Sequence, residues 1–237
     1  MINESEIKHK IWKKLETSNF RMDGGRILEL IATMKGMEEL DSILDDEKAM
    51  QLLSRDKESF VPPLYVFNFI NQIAKSVNPK SHLDPWITPS SPCNFFDFGK
   101  TIAYCLNEPI IEIINTFFPN DKNQIYLGDI FKELKDIRTN FDLVTSFTPF
   151  GMRRKERIEI DGVSLTSDLS FSTIIQSSLL LNETGKGIFL TTPSFFFDNK
   201  KEILSRLGLF VDAVFATPNG MFRPYSGINA IIVVLSN

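Results

Sequence analysis

Cysteine and histidine are scarce, with two of each in 237 residues. Cys93 and Cys105 build no disulfide framework, and with only His9 and His82 beside them there is no zinc-ligand spacing. A basic excess is missing too. The net charge is −4 and the pI about 5.4, so a strongly basic nucleic-acid footprint is excluded and any DNA contact has to rest on a local patch. No apolar run reaches the length of a membrane span. The charged N-terminus carries no leader-like apolar segment, and a cytoplasmic protein without membrane attachment is expected. The chain lacks a Gly-x-Ser-x-Gly elbow, a complete Gly-x-x-x-x-Gly-Lys-Ser/Thr phosphate loop and a dinucleotide glycine fingerprint. These absences argue against a serine hydrolase, a P-loop kinase and a nicotinamide enzyme. Internal repeats and low-complexity segments are absent as well.

What is present suits one full core with a small helical appendage. Hydrophobic residues make up 43% of the chain, and phenylalanine is frequent at 21 residues. Several phenylalanines fall in loop positions, among them Phe95, Phe96, Phe147, Phe150, Phe195 and Phe222. Such rings either stack on a base or plug a core.

Residues 1–57 show helical periodicity and no strand signal. Ile7, Ile11 and Leu15 form one stripe, and Ile27, Leu28, Ile31 and Met34 form another. The segment reads as a helical cap or as a docking surface for a partner. Beyond Phe60-Val61-Pro62-Pro63 a main domain spans residues 58–237. It opens with a helix over Leu64–Val77, where proline is tolerated in the first turn.

A short strand at most is expected at Ser81–Asp84, then strands at Thr101–Leu106, Ile125–Leu127, Phe141–Thr145 and Ile188–Thr191. Helices are expected at Ile110–Phe118, Ile130–Ile137, Asp168–Leu181 and Lys200–Leu207. Ser146–Gly151 is read as a stiff loop that no strand continues, because Pro149 lacks a ladder donor. Residues 152–167 read as polar and irregular, and Thr184–Gly187 as a turn. Two closing strands, Leu209–Phe215 and Gly227–Leu235, are joined too briefly for a crossover helix and form an antiparallel pair. The alternation predicts a doubly wound α/β sheet of seven mostly parallel strands, one reversed, behind a short helical N-terminal segment. Ligands of such sheets lie outside the strands' carboxyl ends. Four loops would line that edge: Asp84–Asn94, Asn107–Pro109, Gly128-Asp129 and the loop from Ser146 onward. Glu108, 24 positions beyond Asp84, stands near the spacing at which an acid holds a ribose. Asp129 is equally a helix cap, and Glu108 equally a first-turn acid favoured by the helix dipole.

From about Ser59 to Leu235 these segments, in this order, resemble the S-adenosylmethionine-dependent adenine-specific (N-6) DNA methyltransferases, and in particular the modification subunit of type I restriction-modification systems. Phe60 and Pro62 match the family's aromatic-x-Pro segment against the methionine of the cofactor. Leu83-Asp84-Pro85 resembles the start of the Asp-Pro-x-x-Gly-x-Gly cofactor loop, which brings Ser90 beside the ligand. Leu106-Asn107-Glu108 resembles the strand end beneath the ribose. Gly128-Asp129 matches the Gly-Asp that precedes the target site. Phe147-Thr148-Pro149-Phe150 stands where the family carries Asn-Pro-Pro-Phe, and Pro218–Phe222 matches its Pro-x-Gly-x-Phe pattern.

The resemblance implies S-adenosylmethionine as cofactor and a flipped adenine as target, with Phe147, Thr148, Pro149, Phe150 and Asp129 at the reacting centre. It implies cofactor contacts from Phe60, Pro62, Asp84, Pro85, Ser90, Asn107 and Glu108. Arg153, Arg154, Lys155 and Arg157 follow the motif and are candidate phosphate contacts. A protein partner would supply target recognition.

Three motifs depart from the pattern. Phe147 replaces the asparagine that accepts a hydrogen bond from the target amine and offers no acceptor. The glycine positions of the cofactor loop fall on Thr88 and Ser90 with Pro89 between them, where Cβ atoms obstruct the approach of backbone to ligand. The usual place of the ribose acid falls near Cys105. One lost polar group at a reacting centre costs on the order of 3 kcal/mol in barrier. The sequence therefore leaves two readings open: a methyltransferase with altered motifs, or a non-catalytic methyltransferase-fold scaffold in which cofactor binding is lost.

Overall fold

The computed structural model describes residues 61–133, 137, 139–148, 150, 154–160, 162–222 and 227–237. The N-terminal segment 1–57 and the predicted site residues Phe60, Pro149 and Arg153 lie outside the described residues.

Helix α1, Leu64–Val77, has the expected bounds. Pro63 precedes it in extended conformation, and Asn78 ends it in the left-handed region at φ 51°. Its inner stripe of Val66, Phe67, Ile70 and Ala74 lies against the sheet. Among the described residues nine strands follow: β1 Ser81–Asp84, β2 Lys100–Cys105, β3 Asn123–Leu127, β4 Phe141–Phe147, β5 Lys155–Ile160, β6 Val163–Asp168, β7 Leu181–Thr191, β8 Phe210–Ala216 and β9 Ile231–Ser236. The helices between them are α2 Glu108–Phe117, α3 Ile130–Glu133, α4 Leu169–Ser178 and α5 Lys200–Arg206.

Seven strands form one sheet in the order β3-β2-β1-β4-β7-β9-β8. Neighbours are parallel except at β9, which runs against both β7 and β8. This is the expected mostly parallel sheet with one reversed strand. The order turns back between β1 and β4, which places a topological switch point at their carboxyl ends. The core is split by the sheet. On one face α1 packs Phe67 and Ile70 against Leu143, Phe147, Ile188 and Leu190. On the other, α4 packs Phe171, Ile174 and Ile175 against Leu83, Val144 and Phe189. Asp168 caps α4, accepting from the Phe171 N–H at 2.9 Å.

Three local expectations are corrected. Strand β4 does not stop at Thr145; Ser146 and Phe147 still pair with Phe189 and Leu190 of β7, so the ladder holds them in register. The residues read as irregular contain an antiparallel hairpin, β5–β6, pairing Lys155 with Asp168 through Ile160 with Val163. Thr184–Gly187 lies inside β7 and not in a turn before it. The register slips between Phe141 and Leu143, so β7 bulges at these residues. A Cβ on Gly185 would sit 2.7 Å from the Phe141 carbonyl oxygen, which is why the bulge carries glycine. No helix among the described residues is long and apolar enough to cross a membrane.

Candidate functional site

Strands β3, β2, β1 and β4 are adjacent and parallel, so Asp129, Asn107, Glu108, Asp84, Phe147 and Thr148 all leave the same edge of the sheet. The expectation that these loops share one rim is met by the topology. At that edge Asp84 and Asp129 engage different partners.

Asp84 closes β1 and is fully buried. Its Oδ1 accepts the Trp86 N–H at 3.0 Å, and its Oδ2 faces the Cys93 thiol at 3.8 Å. Burial pushes its carboxyl up to about 6 against the hydrogen bonds that favour its charge. Burial likewise raises both thiols, that of Cys105 to about 11. After Pro85, itself buried, the loop folds back on β2, with the Ile87 N–H bonded to the Tyr104 carbonyl at 2.9 Å.

Several of the loop's polar groups bond to one another, while the buried Asn94 Oδ1 has no partner among the described residues. Ser91 Oγ accepts the Thr88 N–H at 3.0 Å, Ser90 Oγ lies 2.9 Å from Thr88 Oγ1, and Asn94 Nδ2 donates to the Thr88 carbonyl at 2.8 Å. At the end of β2, Cys105 Sγ donates to the Asn107 carbonyl at 3.4 Å. Glu108 is exposed in the first turn of α2. Pro62 is buried ahead of α1.

Phe147 ends β4 with its ring in the α1-side core, 9% exposed. It meets Phe67 edge-on, with centroids 5.4 Å apart and planes at 84°. Phe67 in turn meets Phe95, which meets Phe118. The aromatic row runs from the carboxyl end of β4 at Phe147 to the end of α2 at Phe118. Phe150 is buried against Phe222 at 5.7 Å. Thr148 is a clasp: its Oγ1 donates to the Leu190 carbonyl at 3.0 Å and accepts from Ser170 Oγ at 2.6 Å.

Asp129 turns towards the opposite face. Its Oδ1 accepts the Phe131 N–H at 3.2 Å, capping α3, and its Oδ2 accepts from Arg154 Nη2 at 2.8 Å. Arg154 also pairs with Glu156 and lies 5.6 Å above the Phe131 ring. Arg157 pairs with Glu159 at 2.8 Å. A cleft of about 380 Å³ opens beside this knot, lined among others by Asp129, Phe131, Arg154, Ile158, Gln176 and Leu180. Neither Asp84 nor Phe147 lines it.

Sequence reasoning missed the fixed positions of Ser91 and Cys93 around Asp84. It also missed His82, fully buried beneath this edge with Nδ1 3.1 Å from Thr101 Oγ1 and Nε2 2.8 Å from Thr145 Oγ1. The hairpin that carries Arg154 had a signal: Asp161-Gly162 between two alternating segments is a strong two-residue hairpin turn.

No protein-family model and no curated protein matches the chain. Solved structures do. A proposed class I S-adenosylmethionine-dependent methyltransferase of Listeria monocytogenes is similar at 12% identity, with 98% of this chain and 89% of that one covered and a TM-score of 0.58. A proposed RNA methyltransferase of Pyrococcus horikoshii is similar at 13% identity, covering 90% and 98%, with a TM-score of 0.56. The modification subunit of a proposed type I restriction enzyme of Vibrio vulnificus YJ016 matches at 13% identity, 88% and 56% coverage and a TM-score of 0.49, a likeness too slight to carry an inference. The chain has the fold of the S-adenosylmethionine-dependent methyltransferases, whose cofactor is that sulfonium donor.

Proposed function

We propose that this protein descends from the adenine-specific DNA methyltransferases and works as a methyltransferase-fold binding subunit without methyl transfer of its own. The observation that carries the reading is Phe147. At the position the resemblance gives to the amine-accepting asparagine stands an apolar ring, packed edge-on against Phe67 in the core. An acceptor for the target amine would have to displace that packing.

The residues present do not fit S-adenosylmethionine. The loop after β1 carries Thr88, Pro89 and Ser90 where close backbone approach needs glycine, and the Thr88, Ser90 and Ser91 hydroxyls are spent within the loop. Asp84 is buried and serves the Trp86 N–H. Cys105, not an acid, ends β2. Within the basic cluster Arg154 is committed to Asp129 and Glu156, and Arg157 pairs with Glu159 at the exposed surface beside the exposed Lys155. These features favour a protein partner, with residues 58–237 as the fold unit, residues 1–57 as the docking segment and the cytoplasm as its place.

Calorimetric titration with S-adenosylmethionine tests the proposal, together with labelled methyl transfer to unmethylated DNA. No heat of binding and no incorporation are expected. A ligand at a hundredfold excess over its dissociation constant stabilises by roughly 2.7 kcal/mol. A melting shift of that order, with label in DNA, would establish an active N-6 adenine methyltransferase instead.

A further inference from the structure

Strand β8 is outermost in the sheet, and among the described residues no strand pairs with its outer side. Its sequence is that of an inner strand. Phe210, Val211, Val214 and Phe215 are exposed by 63%, 38%, 45% and 38%. A long apolar edge with free backbone groups is a template for pairing, and natural edges blunt it with lysine or proline. Neither occurs in β8, whose single charge, Asp212, and single bulge both fall at its centre.

The segment Phe210-Val211-Asp212-Ala213-Val214-Phe215 reads Phe-Val inward from both ends. In a regular strand that symmetry would be useless, since residues an odd number apart point to opposite faces. The register slip between Val211 and Ala213 changes this. Val211 and Val214 pair with Leu235 and Val233, both in the α4-side core. Phe215 pairs with Ile232 of the α1-side core and meets Phe69 of α1 edge-on at 4.8 Å. Phe210 pairs with Ser236, next to Leu235, and so shares that α1-side face. Both valines thus lie on one face and both phenylalanines on the other.

We propose that β8 is a two-fold edge through which two copies of this chain join their sheets antiparallel, centred between Asp212 and Ala213. Phe210 of each copy then stands opposite Phe215 of the other, and Val211 opposite Val214, each pair on a common face. The charge balance permits it. Asp212, the one charged residue of the strand, is held by Lys186 at 2.6 Å and by Ser236 at 2.9 Å within its own chain, so no unpaired like charges meet at the axis. The two phenylalanines expose on the order of 200 Å² per copy. Edge pairing alone therefore buries less than the roughly 1,200 Å² of a standard interface, and the dimer is weak and concentration-dependent.

Sedimentation velocity of the full chain from about 1 to about 200 μM brackets the affinities of such small interfaces. The wild type is expected to pass from monomer to dimer in that range. Val214→Lys, at an exposed site that leaves the fold and melting temperature unchanged, is expected to weaken the dimer at least about tenfold by placing a charge in the seam. Ala213→Cys, near the axis, is expected to give an interchain disulfide under oxidation, whereas the buried Cys93 and Cys105 do not. A monomer throughout, or a dimer that Val214→Lys leaves intact, overturns the proposal. So does concentration-independent protection of the β8 amides from hydrogen exchange, which would place the cover of this edge within the same chain.

Discussion

Arg154 Nη2 donates to Asp129 Oδ2 at 2.8 Å across 25 positions of chain. The contact ties the base of the β5–β6 hairpin to the loop between β3 and α3. It joins a predicted reacting-centre acid to a predicted phosphate contact in one ion pair.

Replacing Asp129 by asparagine keeps the cap on the Phe131 N–H and removes the charge. Arg154 is more than a third exposed, which limits the pair to about 1 kcal/mol or less. Urea unfolding is expected to show a loss of that size that shrinks with added salt. Hydrogen exchange should quicken over Lys155–Ile160.

Phe147→Ala is expected to cost about 3–5 kcal/mol, the range for a truncated core aromatic. A residue kept for stacking on an outside base would cost far less. Urea denaturation with an unchanged slope is the check.

His82 and Asp84 oppose each other in pH. Burial pushes His82 down to about 3 from 6.5, so the stability tied to its neutral form is complete above pH 6.5 and is lost as pH falls towards 3. Burial raises Asp84 to about 6 from 3.8, so stability is lost as pH rises between those values. The two slopes cancel from about 4 to 6. Asp84→Asn is expected to uncover the histidine alone, a fall of about 1.4 kcal/mol per unit as pH drops from 6 to 4. At pH 7 the same variant is expected to melt higher than wild type, because a buried charge is gone while an oxygen remains for the Trp86 N–H.

Gly99 sits at φ 80°, and a Cβ there would fall onto the Lys80 carbonyl oxygen that accepts the Lys100 N–H. Gly99→Ala is expected to destabilise by more than about 2 kcal/mol, combining backbone strain with a backbone collision. A thermal melt against wild type decides it.

Much of the fold was readable because it rests on local periodicity. The Leu64–Val77 stripe has a helical period, and its helix has those bounds. The hairpin β5–β6 was lost because Glu156 takes a partly buried position of Lys155–Ile160, so its apolar alternation shortens to Ile158 and Ile160. Strand β4 outran its expected end because the ladder to Phe189 and Leu190 is a long-range gain that a nearby proline does not reveal. Of the site, the sequence could place the loops at one rim through strand order; it could not say where their side chains turn.

Composition, periodicity and turn chemistry by themselves determined the alternation of strands and helices, and hence a parallel sheet with one reversed strand. Only the tertiary structure decided that Phe147 meets Phe67, that Arg154 meets Asp129 and that Asp84 is buried beside Cys93. The reason is physical. Periodicity reports which way a residue points relative to its own element, whereas these contacts join residues 9 to 80 positions apart and are set by how the elements pack.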